Sequence, residues 1–67
     1  TPAQEAAYKK ELELVQSYYK SALPYMERVR QLIPDKPRQW AYTLQMIYEN
    51  LQMKTEKAEI DAIIANI

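Results

Sequence analysis

The chain reads as all-α: three antiparallel helices, in which one long rod is followed by a pair of shorter ones. Three observations predict this. Glycine is absent and Ala, Leu, Glu, Lys and Gln are abundant, so strong helix formers fill almost every stretch. Apolar residues recur in steps of three and four, the period of one helix face. The four prolines, Pro2, Pro24, Pro34 and Pro37, lie near expected helix ends in every case but one.

The first helix is expected over about residues 2–33. Thr1-Pro2-Ala3-Gln4 is a strong start: the Thr1 hydroxyl can hold an orphan amide, Pro2 suits the first helical position, and Gln4 closes a capping box. Tyr8, Leu12, Val15, Tyr19, Ala22, Met26, Val29 and Ile33 then follow in alternating steps, keeping one stripe on one face. Leu14, Tyr18, Tyr25 and Leu32 form a second row beside it. Pro24 lacks an amide donor and its ring presses on the carbonyl of Lys20, so a kink is expected there; the unbroken register argues against two separate helices.

Pro34-Asp35-Lys36-Pro37 ends the rod, with Asp35 expected to cap a second helix over about residues 37–51 and Pro37 in its first turn. Trp40, Leu44, Ile47 and Leu51 carry its stripe, flanked by Ala41 and Tyr48. Gln52-Met53-Lys54 reads as a turn without glycine. Thr55 is then expected to cap a third helix over about residues 55–66, whose stripe is Ile60, Ile63, Ile64 and Ile67. Short connections favour antiparallel neighbours.

Composition excludes many functions. With no Cys and no His, the chain cannot supply a zinc site, an iron–sulfur cluster, a disulfide, a thiol nucleophile or an imidazole base, and no cofactor is expected. Without Gly, no glycine-rich phosphate loop exists. Nine basic and nine acidic residues cancel, so no net field draws the chain to nucleic acid or anionic lipid. No apolar run is long enough for a membrane span or signal peptide. Cysteine usage fits cytosol and periplasm alike, and the first residue, Thr1, points to a processed chain or a fragment. Folding energetics are tight: burying about 7,000 Å², a little over half of it apolar, returns about 100 kcal/mol, and ordering the backbone and side chains costs about the same.

Between Ala22 and Trp40 the spacing becomes specific. Ala22 is followed by Met26, Val29 and Pro34, and then by Trp40 six residues past that proline. This resembles the second helix of a tetratricopeptide repeat, its closing proline and the aromatic residue that opens the next repeat. The likeness covers about residues 18–67, as half of one degenerate repeat and one full degenerate repeat. Departures are plain: Leu44 and Tyr48 come one residue late after Trp40, Gln45 stands where the family has Gly, and the turn before Ala58 is short. The resemblance implies a single helical unit, residues 1–67, from a longer repeat protein, acting as a non-catalytic protein-interaction or assembly module. It also implies a ligand groove lined by Gln39, Tyr42, Met46, Glu49 and Asn50. Only Asn50 matches the residue types that hold a peptide carboxylate in such grooves, so apolar or tyrosine-mediated contact with a protein or peptide is expected.

Other clusters read more plainly. Ser17 and Ser21 have no base to activate them, and Glu11, Glu13, Glu56 and Glu59 are ordinary exposed helix charges. Arg28, Arg30, Lys36 and Arg38 gather near the Pro34 turn and are the one candidate nucleic-acid patch, but Glu27 and Asp35 dilute it and helix-end cations oppose the carbonyl pole in any case. Tyr8, Tyr19, Trp40 and Tyr48 are expected between helices, while Tyr18, Tyr25 and Tyr42 fall off the main stripes. The two short helices can fold back only along the latter half of the rod. Residues 2–15 should then overhang with Ala3, Ala7, Tyr8, Leu12 and Val15 uncovered, a surface for adjacent repeats or for joining chains through the first helix.

Overall fold

The computed structural model describes residues 1–67, is 84% helical and has no strands. α1 runs from Pro2 to Leu32, a 3₁₀ turn occupies Pro37–Gln39, α2 spans Ala41–Asn50 and α3 spans Lys54–Ala65. α2 turns back along the end of α1, and α3 turns back along α2, so α2 is the central layer.

α1 begins as its sequence dictates. The Gln4 amide donates to Thr1 Oγ1 at 3.2 Å and the Thr1 ammonium donates to Gln4 Oε1 at 3.2 Å, closing the capping box. Pro24 does not split the helix, which is continuous through it. Pro24 and Lys20 both lie on the exposed side of the rod, so the carbonyl left without its amide partner is on the solvent side rather than against the core.

One expected helix start and two expected caps are corrected. The second helix does not begin at Pro37. The Gln39 amide bonds Lys36 O at 3.0 Å and the Trp40 amide bonds Pro37 O at 3.2 Å, a three-residue closure that makes a 3₁₀ turn, and α-geometry starts only at Ala41. Asp35 makes no capping bond there. Nor does Thr55 cap the third helix, which starts one residue earlier at Lys54, with Met53 in the cap position and no side-chain cap.

The reason lies in the turn between α2 and α3. Gln52 takes φ 58, the chain's one left-handed residue. The Met53 amide reaches back to Tyr48 O at 2.8 Å and the Gln52 amide to Glu49 O at 3.2 Å. These paired bonds are a Schellman closure, which satisfies the last carbonyls of α2 and tucks Met53 against the core. A Cβ at a left-handed position costs on the order of 1 kcal/mol that glycine avoids.

The core is small and sits where the three elements meet. Trp40, Ala41, Leu44, Ile47, Tyr48 and Ile60 are the only buried residues. Leu23, Met26 and Val29 of α1, with Ile33 just past its end, close it from one side, and Met53, Ile63, Ile64 and Ile67 from the other. Trp40 is the joint. Its indole Nε1–H donates to Ile33 O at 2.9 Å, a carbonyl that also accepts from the Lys36 amide at 3.0 Å. The Arg30 guanidinium lies 5.0 Å from the Trp40 ring centroid and reaches Glu59 of α3 at 3.7 Å.

Two stability changes follow. Trp40→Phe keeps the ring but loses the indole donor, and should lower stability by about 1–2 kcal/mol, read as a reduced urea midpoint by far-ultraviolet circular dichroism. An unchanged midpoint would show that the Ile33 bond carries no weight. Gln52→Gly should raise stability by about 0.5–1 kcal/mol, since relief of the left-handed strain exceeds the added freedom of the unfolded chain; a lower melting temperature would contradict the Schellman assignment.

Candidate interaction surfaces

What the core leaves outside is extensive. Every residue from Thr1 to Val15 is exposed. Ala3, Ala7, Tyr8, Leu12 and Val15 therefore lie bare on the front of α1, with Tyr8 67% exposed. This corrects the expectation that Tyr8 packs between helices. Of the four aromatic residues expected there, Trp40 and Tyr48 are buried and Tyr19 is half-buried, its ring edge-on to Tyr18 at 5.5 Å. The physical reason is length. α2 and α3 have 10 and 12 residues, some 15–18 Å each, and cannot reach the front of a 31-residue rod.

The second row of α1 is uncovered along its whole length, from Leu14 and Tyr18 to Tyr25 and Leu32, each at least 65% exposed. Successive residues turn by about 100°, so this row sits roughly a quarter-turn from the stripe that α2 covers.

On α2, Tyr42, Met46, Glu49 and Asn50 share the outward face, opposite the buried Ala41, Leu44, Ile47 and Tyr48. Tyr42 is 51% and Met46 46% exposed. Asn50 spends its amide on Met46 O at 2.8 Å, a bond within its own helix. Gln39 stands apart from these four. It lies in the 3₁₀ turn and lines a different feature, an open cleft of about 860 Å³ between that turn and the end of α3. Pro37, Ala62, Ile63 and Ile67 supply its apolar side chains, and Asp35, Lys36, Arg38 and Glu59 its charged ones. No periodicity in the sequence signals this cleft, because it arises from a turn meeting the far end of a helix.

The basic residues do not form one patch. Arg28 and Arg30 are two positions apart on α1 and so point to different sides, and Arg30 is held by Trp40 and Glu59. Lys36 and Arg38 are exposed on the turn beside Asp35. No helix is long and apolar enough to cross a membrane.

One polar network ties α2 to α3. Gln45 Nε2 donates to Asp61 Oδ1 at 2.8 Å, and Lys57 Nζ donates to Asp61 Oδ2 at 2.9 Å. The hydrogen bonds from Gln45 and Lys57 hold the Asp61 carboxyl below the ordinary aspartate range, and the bond to Asp61 pushes the Lys57 ammonium above its own. Burial pushes the Tyr48 hydroxyl up, with the Glu27 charge adding to the effect.

No family model matches the chain, and neither does any curated protein or solved structure.

The Asp61 network carries a pH signature. A carboxyl with a lowered folded pKa adds stability above the unfolded aspartate value, near 3.9, and loses it as pH falls through the folded value. Melting temperature should therefore decline on acidification from about pH 5 downward, and less steeply in Asp61→Asn. Parallel curves for the two proteins would show that the network contributes nothing.

Proposed function

We propose that this chain is a non-catalytic protein–protein interaction or assembly module of tetratricopeptide-repeat type. The observation that carries the reading is the amount of large apolar and aromatic surface left outside so small a core: nine large hydrophobic residues are exposed, whereas only six residues of any size, Ala41 among them, are buried. They are grouped along helix faces, as the Tyr8, Leu12 and Val15 stripe, the Leu14, Tyr18, Tyr25 and Leu32 row and the Tyr42 and Met46 pair, and grouped apolar surface marks an interaction face, whereas singly scattered residues would not. Tyr and Met are the types enriched at such faces, because they bury large area while tolerating water at their edges.

The repeat-type part of the proposal is supported by how the motif residues are used. Met26 and Val29 close the core, Pro34 follows the end of α1, and Trp40 is buried at the opening of the next helical pair. The small Ala22 sits half-buried, one turn before Met26. Against it stand the one-residue delay of Leu44 and Tyr48 and the placement of Trp40 before α2 rather than within it. Within this reading a protein or peptide docks on the outward face of α2, through Tyr42 and Met46, with Glu49 and Asn50 at its edge. A second reading, in which α1 joins chains, is favoured by the bare stripe at its front. Nucleic-acid binding through Arg28, Arg30, Lys36 and Arg38 is weakened by their separation.

The double change Tyr42→Ser with Met46→Ser tests the α2 face. Both side chains point outward, so the helical signal and melting temperature should stay within about 0.5 kcal/mol of the parent. Capture of a protein partner should fall by at least about tenfold, the loss expected when anchors of a small interface are truncated. Undiminished capture by the folded variant would remove this face from the proposal.

A further inference from the structure

We infer that the front of α1 is a self-association element: two copies lie antiparallel, with Leu12 of each against the partner's Val15 and Tyr8 against the partner's Tyr19. This rests on the assembly reading above and names its partner, a second copy of this chain.

Surface area points to a missing neighbour. A compact folded chain of 7.9 kDa exposes roughly 4,400 Å², whereas this one exposes 5246 Å². The surplus, about 800 Å², is what each partner contributes to a specific interface of standard size. Its source is the rod: the radius of gyration is 14.4 Å where roughly 11 Å is usual for this length, and the longest extent is 48 Å. Leu12 and Val15 are 43% and 45% exposed and sit in the same stripe that buries Met26 and Val29 further along.

The fold then sets the direction. α2 covers this stripe from Leu23 onward. A parallel pair sharing the stripe would drive one α2 into the other. An antiparallel pair sends the two cores to opposite ends: residues 5–8 of each come level with residues 19–22 of the partner, and only the first turn meets the end of the partner's α2.

Charge sets the register. With Leu12 against Val15, the flanking Lys9 meets the partner's Gln16, and Glu11 meets the exposed hydroxyl of the partner's Tyr18. A shift of one heptad toward shorter overlap stacks Lys9 on the partner's Lys9 and Glu11 on the partner's Glu11. A shift the other way pushes the partner's front into the space that α2 occupies. Over residues 1–15, Lys9 and Lys10 against Glu5, Glu11 and Glu13 leave a single net negative side-chain charge, too little to oppose pairing.

Sedimentation equilibrium on the full chain, from about 1 to 300 µM, covers the affinities that a small helical interface reaches. A reversible monomer–dimer equilibrium is expected. Leu12→Glu should weaken it at least about thirtyfold while leaving helicity and melting of the monomer unchanged, because Leu12 lies outside the core; Tyr42→Ser should leave the dimer intact. Because the chain has no cysteine, orientation is read by oxidising Leu12→Cys and Val15→Cys copies alone and mixed. The mixed disulfide should dominate. A monomer at every concentration overturns the inference, and it leaves the wider interaction reading standing if capture through Tyr42 and Met46 persists. A dimer indifferent to Leu12→Glu, or one in which Leu12→Cys copies link to each other, overturns it as well.

Discussion

The hydrogen bond from the Trp40 indole to the Ile33 carbonyl is the constraint on which the rest of the molecule depends. A helix end normally leaves its last carbonyls to water, and here one of them is claimed twice, by the Lys36 amide and by a buried indole. That double use fixes where the chain reverses after α1. It also seats the largest side chain of the protein in the only place where α1, α2 and α3 converge. Arg30 closes the outer side of the ring and extends to Glu59, so the same residue joins the first helix to the third, which otherwise meet little. The ion pair is partly exposed and weak on its own; its use is to keep the guanidinium over the ring.

From this joint follows a mismatch of lengths. Two helices of 10 and 12 residues pack on one of 31, and no rearrangement of short helices hides the remainder. With six buried residues, the chain sits at the low end of what a single core supports. Features that would be minor in a larger domain therefore matter: the capping box at Thr1, the Schellman closure at Gln52, and the Gln45–Asp61 bond that latches α3 to α2. The exposed rows of α1 and the outward face of α2 are the other consequence of that mismatch. They place tyrosine and aliphatic surface where a protein partner, or a second copy, would recover the burial that this chain alone does not reach.

Helix content, the start of α1, the continuity through Pro24 and the bare front of the rod were all determined by the sequence itself, because each rests on local periodicity, propensity or reach. Thr1 and Gln4 are three residues apart and need nothing else to meet; the stripe from Tyr8 to Ile33 keeps its face whatever surrounds it. The starts of α2 and α3 were not legible in that way. Asp35 and Thr55 are good capping types, but capping is a competition. The chain instead closes a 3₁₀ turn at Pro37 and a left-handed turn at Gln52, since these bring Trp40 and Met53 onto the core. A glutamine at a glycine-like position gives no local warning of that choice.

Tertiary structure alone decided which members of one continuous stripe are covered. Tyr8 and Met26 occupy equivalent positions in the pattern, yet Tyr8 is bare and Met26 is packed, because coverage depends on how far α2 and α3 reach and not on periodicity. It also separated Gln39 from Tyr42 and Met46, and Arg28 from Arg30, since a 3₁₀ turn and a helical rotation break groupings that are close in number. The cleft between the turn and α3 belongs wholly to this level, for its walls are at least twenty residues apart in the chain and meet only when Trp40 locks the reversal. Periodicity reports which face of a helix is apolar; only packing reports what, if anything, that face touches.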